Sequence, residues 1–456
     1  MAKNTTENGL ERKLGIFPLT NIVIANMIGA GIFTSSGLLM QDLKNPVLMI
    51  ALWLVAGIIA LCGALCYGEV GAAIPKAGGE YTFLSRLFSP VLGFMSGWLS
   101  FFAGFSAPIA FSAMGYSEYL TRAFPGLLGI GLVDAQVEAY VLKKLYALAV
   151  IAVFTLIHMR GIVFGARVQN ILTIMKVGLI IGLILFGFAS GKGDTAHFQD
   201  SQFDFGFSGW KVIGLSLMWI MFAYSGWNAA AYIGSEIKDP AKNLPRSLII
   251  GTGIVILLYV VFNIFFVYAV PPAEMEGVVS IAGLAAGRIF GNSFEVVVSI
   301  LISFALFSSL SAFIILGPRV YFSMAKDGYF FRFAARIHPV HKVPDRSILL
   351  QGAIASLLVM MGTFEQILTY MGFSLGIFPI LVVFGVFKLR RANVGSYRMP
   401  GYPIAPFVYI IFGLGILTLA FLQSPLISGI ALGTTAMGIP AYFIFKKRYK
   451  NHAISR

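Results

Sequence analysis

The sequence is poor in charge. Asp, Glu, Lys and Arg make up 11% of its 456 residues, where a soluble chain carries about a quarter. Hydrophobic side chains make up 58%, and the mean hydropathy is +0.85. This excludes a water-soluble globular protein and predicts an integral membrane protein. Cysteine is nearly absent. Cys62 and Cys66 lie four apart in one apolar segment, a pattern of small packing residues rather than a redox or metal pair. Neither falls in an expected external loop, so no disulfide-linked accessory subunit is expected. Histidine is scarce too: His158, His197, His338, His341 and His452 fall in loops, tails or span ends. No His or carboxylate cluster is expected at membrane depth, so no metal, cofactor or embedded catalytic centre is called for. Rings of charge or a filter of stacked carbonyls, which a channel needs, are missing as well.

What is present is long apolar runs. Stretches of about 20 apolar residues span a bilayer as helices. They occur at 17–41, 47–73, 88–118, 140–158, 163–190, 209–236, 247–270, 294–324, 347–363, 366–387, 404–422 and 426–445. The prediction is one all-α membrane domain, residues 15–445, with twelve transmembrane helices between polar tails at 1–14 and 446–456. The first tail lacks the pattern of a cleaved signal peptide. Of the 33 Lys and Arg residues, seven fall outside if the N-terminus is inside: Lys44, Arg122, Lys143, Lys144, Lys192, Lys211 and Arg288. Lys176 lies inside a span, and the rest, from Lys3, Arg12 and Lys13 to clusters such as Arg390, Arg391 and Lys446, are cytoplasmic. The positive-inside rule thus places both termini in the cytoplasm. The formal charge of +14 becomes a topology signal facing anionic lipid rather than a nucleic-acid surface.

Two spans carry poor helix formers in their middles. The first reads Met27-Ile28-Gly29-Ala30-Gly31-Ile32-Phe33, the sixth Phe222-Ala223-Tyr224-Ser225-Gly226-Trp227-Asn228. Glycine loosens a helix locally, and backbone freed at membrane depth survives only where it lines a protein-enclosed cavity. The two spans head two groups of five, at about 15–190 and 209–388, followed by two extra helices at about 404–445. Five is odd, so the second group runs inverted to the first. Interrupted helices in corresponding places of two halves point to a transporter substrate site. Lys176, midway along the fifth span, is too far from either surface to snorkel, and an intramembrane charge is functional by default.

These residues resemble the amino acid–polyamine–organocation (APC) transporters. The first-helix glycines match weakly. The sixth-helix run, with Ser235-Glu236-Ile237-Lys238-Asp239-Pro240 through Pro245-Arg246, strongly resembles the L-type amino acid transporter branch in its bacterial type. Tyr67-Gly68-Glu69 with Ile74-Pro75-Lys76-Ala77-Gly78-Gly79-Glu80-Tyr81 resembles the segment after helix two, and Gly317-Pro318-Arg319 the end of helix eight. The resemblance covers about 12–445. It implies the 5+5 inverted repeat of the LeuT-like fold, with helices 1 and 6 unwound mid-membrane and the substrate held on their backbone. It also implies that Lys176 fills the place of a sodium ion, bonding carbonyls of the helix-one break and a hydroxyl of helix eight, Ser309 first and Ser308 second. Phe222 becomes a gate over the substrate. Asn26 and the small Ala229-Ala230-Ala231 depart from the usual pattern and bear on side-chain selectivity.

A zwitterion suits such a site. Its carboxylate fits the free N–H groups near Ala30-Gly31 at a helix N-terminus, where the flanking Gly29 lets the ligand approach the chain closely. Its ammonium fits carbonyls near Ile28 and Phe222-Ala223, with Ser225 at the second break. Asn228 either bonds the substrate or supports the backbone. Asn26 caps locally or contacts substrate, and Tyr259 lines the cavity or bonds another helix. Glu69, Glu80 and Glu236 are expected to pair with Arg or Lys at the cytoplasmic mouth, as gating or loop-anchoring pairs, rather than to carry protons. The expectation is a multi-pass cell (inner) membrane carrier, monomeric or weakly oligomeric, for neutral L-amino acids. It works by sodium-independent exchange; the alternative is proton symport through Lys176.

Overall fold

The architecture comes from a computed structural model, which describes residues 12, 14–76, 78–128, 134–160, 165–199, 203–326, 328–341 and 343–453, with the side chains at 165–173, 323 and 448–453 left aside. Lys3, Lys13 and Ala77, used above, lie outside the described residues, as does the side chain of His452.

The first apolar stretch forms two helices, α1 (Ile16–Met27) and α2 (Ala30–Leu43). α3 (Pro46–Ala73) follows, entered through Asn45, whose side chain accepts from the Leu48 N–H while Pro46 fills a position needing no donor. A short connector, α4 (Gly79–Leu87), leads to α5 (Pro90–Leu99), which widens into a π turn at Ser100–Ser106 and continues as α6 (Ala107–Ala123). Pro108 lacks the N–H that the Gly104 carbonyl would take, a common reason for such a turn. α7 (Ala135–Met159) and α8 (Gly165–Ala189) complete the first half.

The second half begins with α9 (Phe207–Ala223) and α10 (Pro240–Ala269). Two loop helices follow, α11 (Pro272–Met275) and α12 (Ile281–Phe290), then α13 (Asn292–Lys326), α14 (Asp345–Met361) and α15 (Phe364–Arg391). The chain ends in α16 (Ile404–Gln423), α17 (Pro425–Ala436) and α18 (Gly438–Ala453). Among the described residues, nine stretches are long and apolar enough to cross a membrane: α1–α2, α3, α5–α6, α7, α10, α13, α15, α16 and α17–α18. The other three predicted spans hold α8, α9 and α14, the last two seventeen residues long.

The sixth span differs from its sequence reading. α9 stops at Ala223, and 224–236 is a turn followed by short 3-10 segments at Ala229–Tyr232 and Gly234–Glu236. The interruption lies where Ser225-Gly226 puts it, but the apolar residues after it do not resume an α-helix, which hydropathy cannot register because it reads side chains and not backbone shape.

Packing between the halves is reciprocal. α3 packs on α10, the second helix of each half; α1 packs on α10 and α9 on α3, which exchanges first and second helices. α6 packs on α13, third on third. α6 with α14 mirrors α13 with α7, and α13 with α8 mirrors α6 with α15. These contacts pair corresponding helices of the two groups, as in a two-fold arrangement.

Gly226 marks where the fold depends on a missing side chain. Its φ of +101° lies in the left-handed region, and a Cβ there would stand 2.8 Å from the Asn26 carbonyl. Gly253, on α10, has open space around it. Gly226→Ala is expected to cost about 1–3 kcal/mol and Gly253→Ala to be neutral or to add up to about 1 kcal/mol. Paired thermal unfolding in detergent checks the order of the two variants.

Candidate functional site

The first break is two residues long. α1 ends at Met27, Ile28 takes φ −74° and ψ 89°, and extended Gly29 precedes α2. In an unbroken helix the Met27 and Ile28 carbonyls would accept from N–H groups four residues on. Here two side chains from other helices take that place. The Tyr259 hydroxyl, on α10, donates to the Met27 carbonyl at 2.6 Å, and the Lys176 ammonium, on α8, donates to the Ile28 carbonyl at 2.8 Å. Both side chains are buried, Lys176 with 1% of its surface exposed. On the other side of the break, the N-cap residue Gly29 has no side chain to cap α2, and no acid sits in its first turn.

The second break faces the first. The Tyr259 hydroxyl also lies 3.3 Å from the Ala223 carbonyl at the end of α9, so one phenol serves both breaks. A Cβ on Gly31 would stand 2.6 Å from the Ala223 Cα: glycine there is what lets α2 start against the end of α9. Gly226 is pressed on Asn26 in the same way. The Phe222 carbonyl accepts from the Ser225 N–H at 2.8 Å, tightening the last turn. Each of these carbonyls has a second lone pair.

Phe222 is buried beside this junction. Its ring meets Phe111 of α6 edge to face, centroids 5.3 Å apart, and Phe111 lies 4.2 Å from Phe364 of α15. The three rings form a wall on the α2 side of the breaks, where Ile32 through Met40 are all buried. On the α1 side, Asn26 is exposed, its amide donating to the Ile22 carbonyl of its own helix at 2.8 Å. Ser309 lies near Gly29, its Oγ 3.7 Å from where a Cβ would be, and Ser308 Oγ is buried with no hydrogen-bond partner among the described residues.

Of the carboxylates, Glu69 sits where an ion pair was expected. Almost fully buried, it receives the Arg390 guanidinium through two bonds of 2.8 and 2.7 Å and the Met399 N–H at 2.9 Å, with Arg398 3.4 Å away. Glu80 meets different groups. Its Oε1 accepts from the Tyr67 hydroxyl and the Asn228 amide, both at 2.9 Å, and Tyr232 bonds it too. Asn228 is therefore engaged with Glu80.

Sequence reading missed the aromatic support beneath the breaks. Trp53, Tyr224 and Tyr259 contact one another at centroid distances of 5.1–5.7 Å, and the Tyr224 hydroxyl donates to the Trp53 carbonyl at 3.0 Å. Phe111 and Phe364 were missed as well. Among 41 phenylalanines nothing local distinguishes these two; only the fold brings them to Phe222.

The amino acid permease family matches residues 14–443 of this chain. The serine/threonine exchanger SteT of Bacillus subtilis (strain 168) is 28% identical over 98% of this chain and 99% of its own length. Asc-type amino acid transporter 1 of Mus musculus is 24% identical over 95% and 81%. The human cystine/glutamate transporter is 26% identical over 96% and 85%. The family match runs through both breaks, the Lys176 helix and the reciprocal packing of the halves. The chain belongs to the amino acid permease family, as a membrane transporter and not an enzyme.

Proposed function

We propose that this chain carries neutral L-amino acids across the cell membrane by sodium-independent exchange, working by alternating access around the two breaks. One observation carries the reading: two interrupted helices meet at Gly31 and Ala223, with an uncapped helix N-terminus on one side and chain-end carbonyls on the other. That arrangement offers N–H groups to a carboxylate and carbonyl oxygens to an ammonium within one small volume. It needs no charged side chain, as befits a ligand with no net charge. In this reading the Ala30 and Gly31 N–H groups take the carboxylate, with Gly29 leaving room for it to approach the chain. The Ile28, Phe222 and Ala223 carbonyls and Ser225 face the ammonium, and Phe222 closes over both. Asn228 acts through the backbone, since its amide is held by Glu80.

The proposed topology has twelve crossings, with both termini cytoplasmic and a 5+5 inverted repeat whose first members are unwound. The reciprocal helix contacts support the repeat. Lys176 supports independence from sodium: a tethered ammonium 2.8 Å from the Ile28 carbonyl supplies a fixed positive charge beside the break. Ser309 of α13 lies beside Gly29 at the same break, with Ser308 next to it in sequence. The exchangers and transporters among the relatives support amino acids as cargo.

Three outcomes test this. In proteoliposomes, external neutral amino acid should accelerate release of preloaded amino acid, equally in sodium and choline media; efflux indifferent to external substrate overturns exchange. Lys176→Ala removes a charge-assisted hydrogen bond worth roughly 1.5–3 kcal/mol, so exchange should fall about tenfold or more, and a wild-type rate removes Lys176 from the mechanism. Phe222→Ala should raise the half-saturating substrate concentration about fivefold or more, and an unchanged saturation curve places Phe222 outside the gate.

A further inference from the structure

A second polar cluster lies just beyond the α9 break, and the substrate clamp does not use its carboxylate. Glu80 stands in the first turn of α4, after two glycines with φ of +111° and +52°. Those glycines press the α3–α4 connection against the segment that follows the α9 break. The Gly78 N–H donates to the Tyr232 carbonyl at 3.0 Å, a Cβ on Gly79 would stand 2.4 Å from the Tyr232 ring, and one on Gly234 3.0 Å from the Lys76 carbonyl. Across this seam the Glu80 carboxylate gathers Tyr67 from α3 and Asn228 and Tyr232 from beyond the break. The N-terminal segment joins the same assembly, Leu14 pairing with the backbone at Glu236 and Lys238.

We propose that Glu80 is a proton-binding site of the transport cycle: ionised, it latches the α3–α4 connection to the segment after the α9 break, and taking up a proton releases that latch.

The geometry explains why one proton suffices. An ionised carboxylate only accepts, and its three neighbours can all donate to it. Bonds to an ionised acceptor are roughly twice as strong as neutral ones. Adding a proton turns one acceptor site into a donor facing other donors and weakens the remaining bonds together. Burial pushes the Glu80 carboxyl up to about 7, against the opposing pull of the bonds from Tyr67, Tyr232 and Asn228. The latch is thus held above about pH 7 and loosened below it. Tyr409 of α16 also faces the carboxylate. Other charged groups on the packed elements are engaged or exposed: Glu69 with Arg390 and Arg398, Lys388 on the Leu87 carbonyl, and Lys76, Arg86 and Arg391 at the surface.

This inference rests on the transport reading, but its test does not. Trp227 is buried with its ring 4.8 Å from Tyr67, so its fluorescence reports the latch without any transport. The purified full chain should show a tryptophan emission change between about pH 5.5 and about pH 8.5, with a midpoint near 7. Trp227→Phe should remove that change, and Glu80→Gln should flatten it. In proteoliposomes, wild-type exchange should rise toward acid pH by about fivefold or more, while the Glu80→Gln rate stays within about twofold. A Glu80→Gln chain that titrates like the wild type overturns the proposal. If that variant does not fold, Tyr232→Phe decides: removing a donor to the anion must move the midpoint to higher pH, and an unmoved midpoint overturns the proposal equally.

Discussion

Backbone carbonyls released from a helix inside an apolar domain must find donors, and at the first break two side chains supply them. Leaving such a group unpaired costs several kcal/mol in lipid and about 1–3 kcal/mol in a protein interior. The Met27 and Ile28 carbonyls receive the Tyr259 hydroxyl and the Lys176 ammonium, and much else follows from that. α10 must deliver its phenol to the same point that α8 delivers its ammonium. The two helices pack against each other, so the break is fixed between one element of each half. Because Tyr259 also reaches the Ala223 carbonyl, a shift at either break is felt at the other. A hydroxyl has one proton to donate, so the two carbonyls compete for it, and the shorter bond to Met27 takes the larger share.

Glycine completes what those donors begin. Gly31 and Gly226 are the points where the two breaks press on each other's backbone, at Ala223 and Asn26. With side chains at either position the helix ends would separate and the freed groups would open to whatever fills the gap. The same residues that weaken the helix therefore also bring the halves together, so break and junction cannot be altered independently.

That coupling explains what could be read from the sequence. The glycine pairs, the lone Lys176 and the run of apolar segments were legible because each violates a local rule: glycine in a helix, charge in lipid, no water to pair with. Tyr259 was legible only as an ambiguous polar residue, since its two partners lie 232 and 36 residues away. Glu80 was read as half of an ion pair because carboxylates near a membrane face usually find a cation; instead it found two tyrosines and an amide. The extent of the sixth span was misread for a simpler reason. Trp227 and Ala229-Ala230-Ala231 are as apolar as a helix would be, while the backbone beneath them turns.

The wall of Phe222, Phe111 and Phe364 and the exposed Asn26 give the site two unlike sides. In the proposed reading the backbone groups at the breaks meet what every α-amino acid shares, so they carry no information about its side chain. In the proposed reading discrimination falls to side chains around the clamp, and Asn26 and Ala229-Ala230-Ala231 lie on the α1 side of the junction. Gly226 packs directly on Asn26, and Asn228, next to the alanines, is held by Glu80. If the proposed clamp holds the substrate, the residues around Asn26 and Asn228 share one segment with the Glu80 cluster, so the shape of any selective surface there depends on a carboxylate outside the clamp.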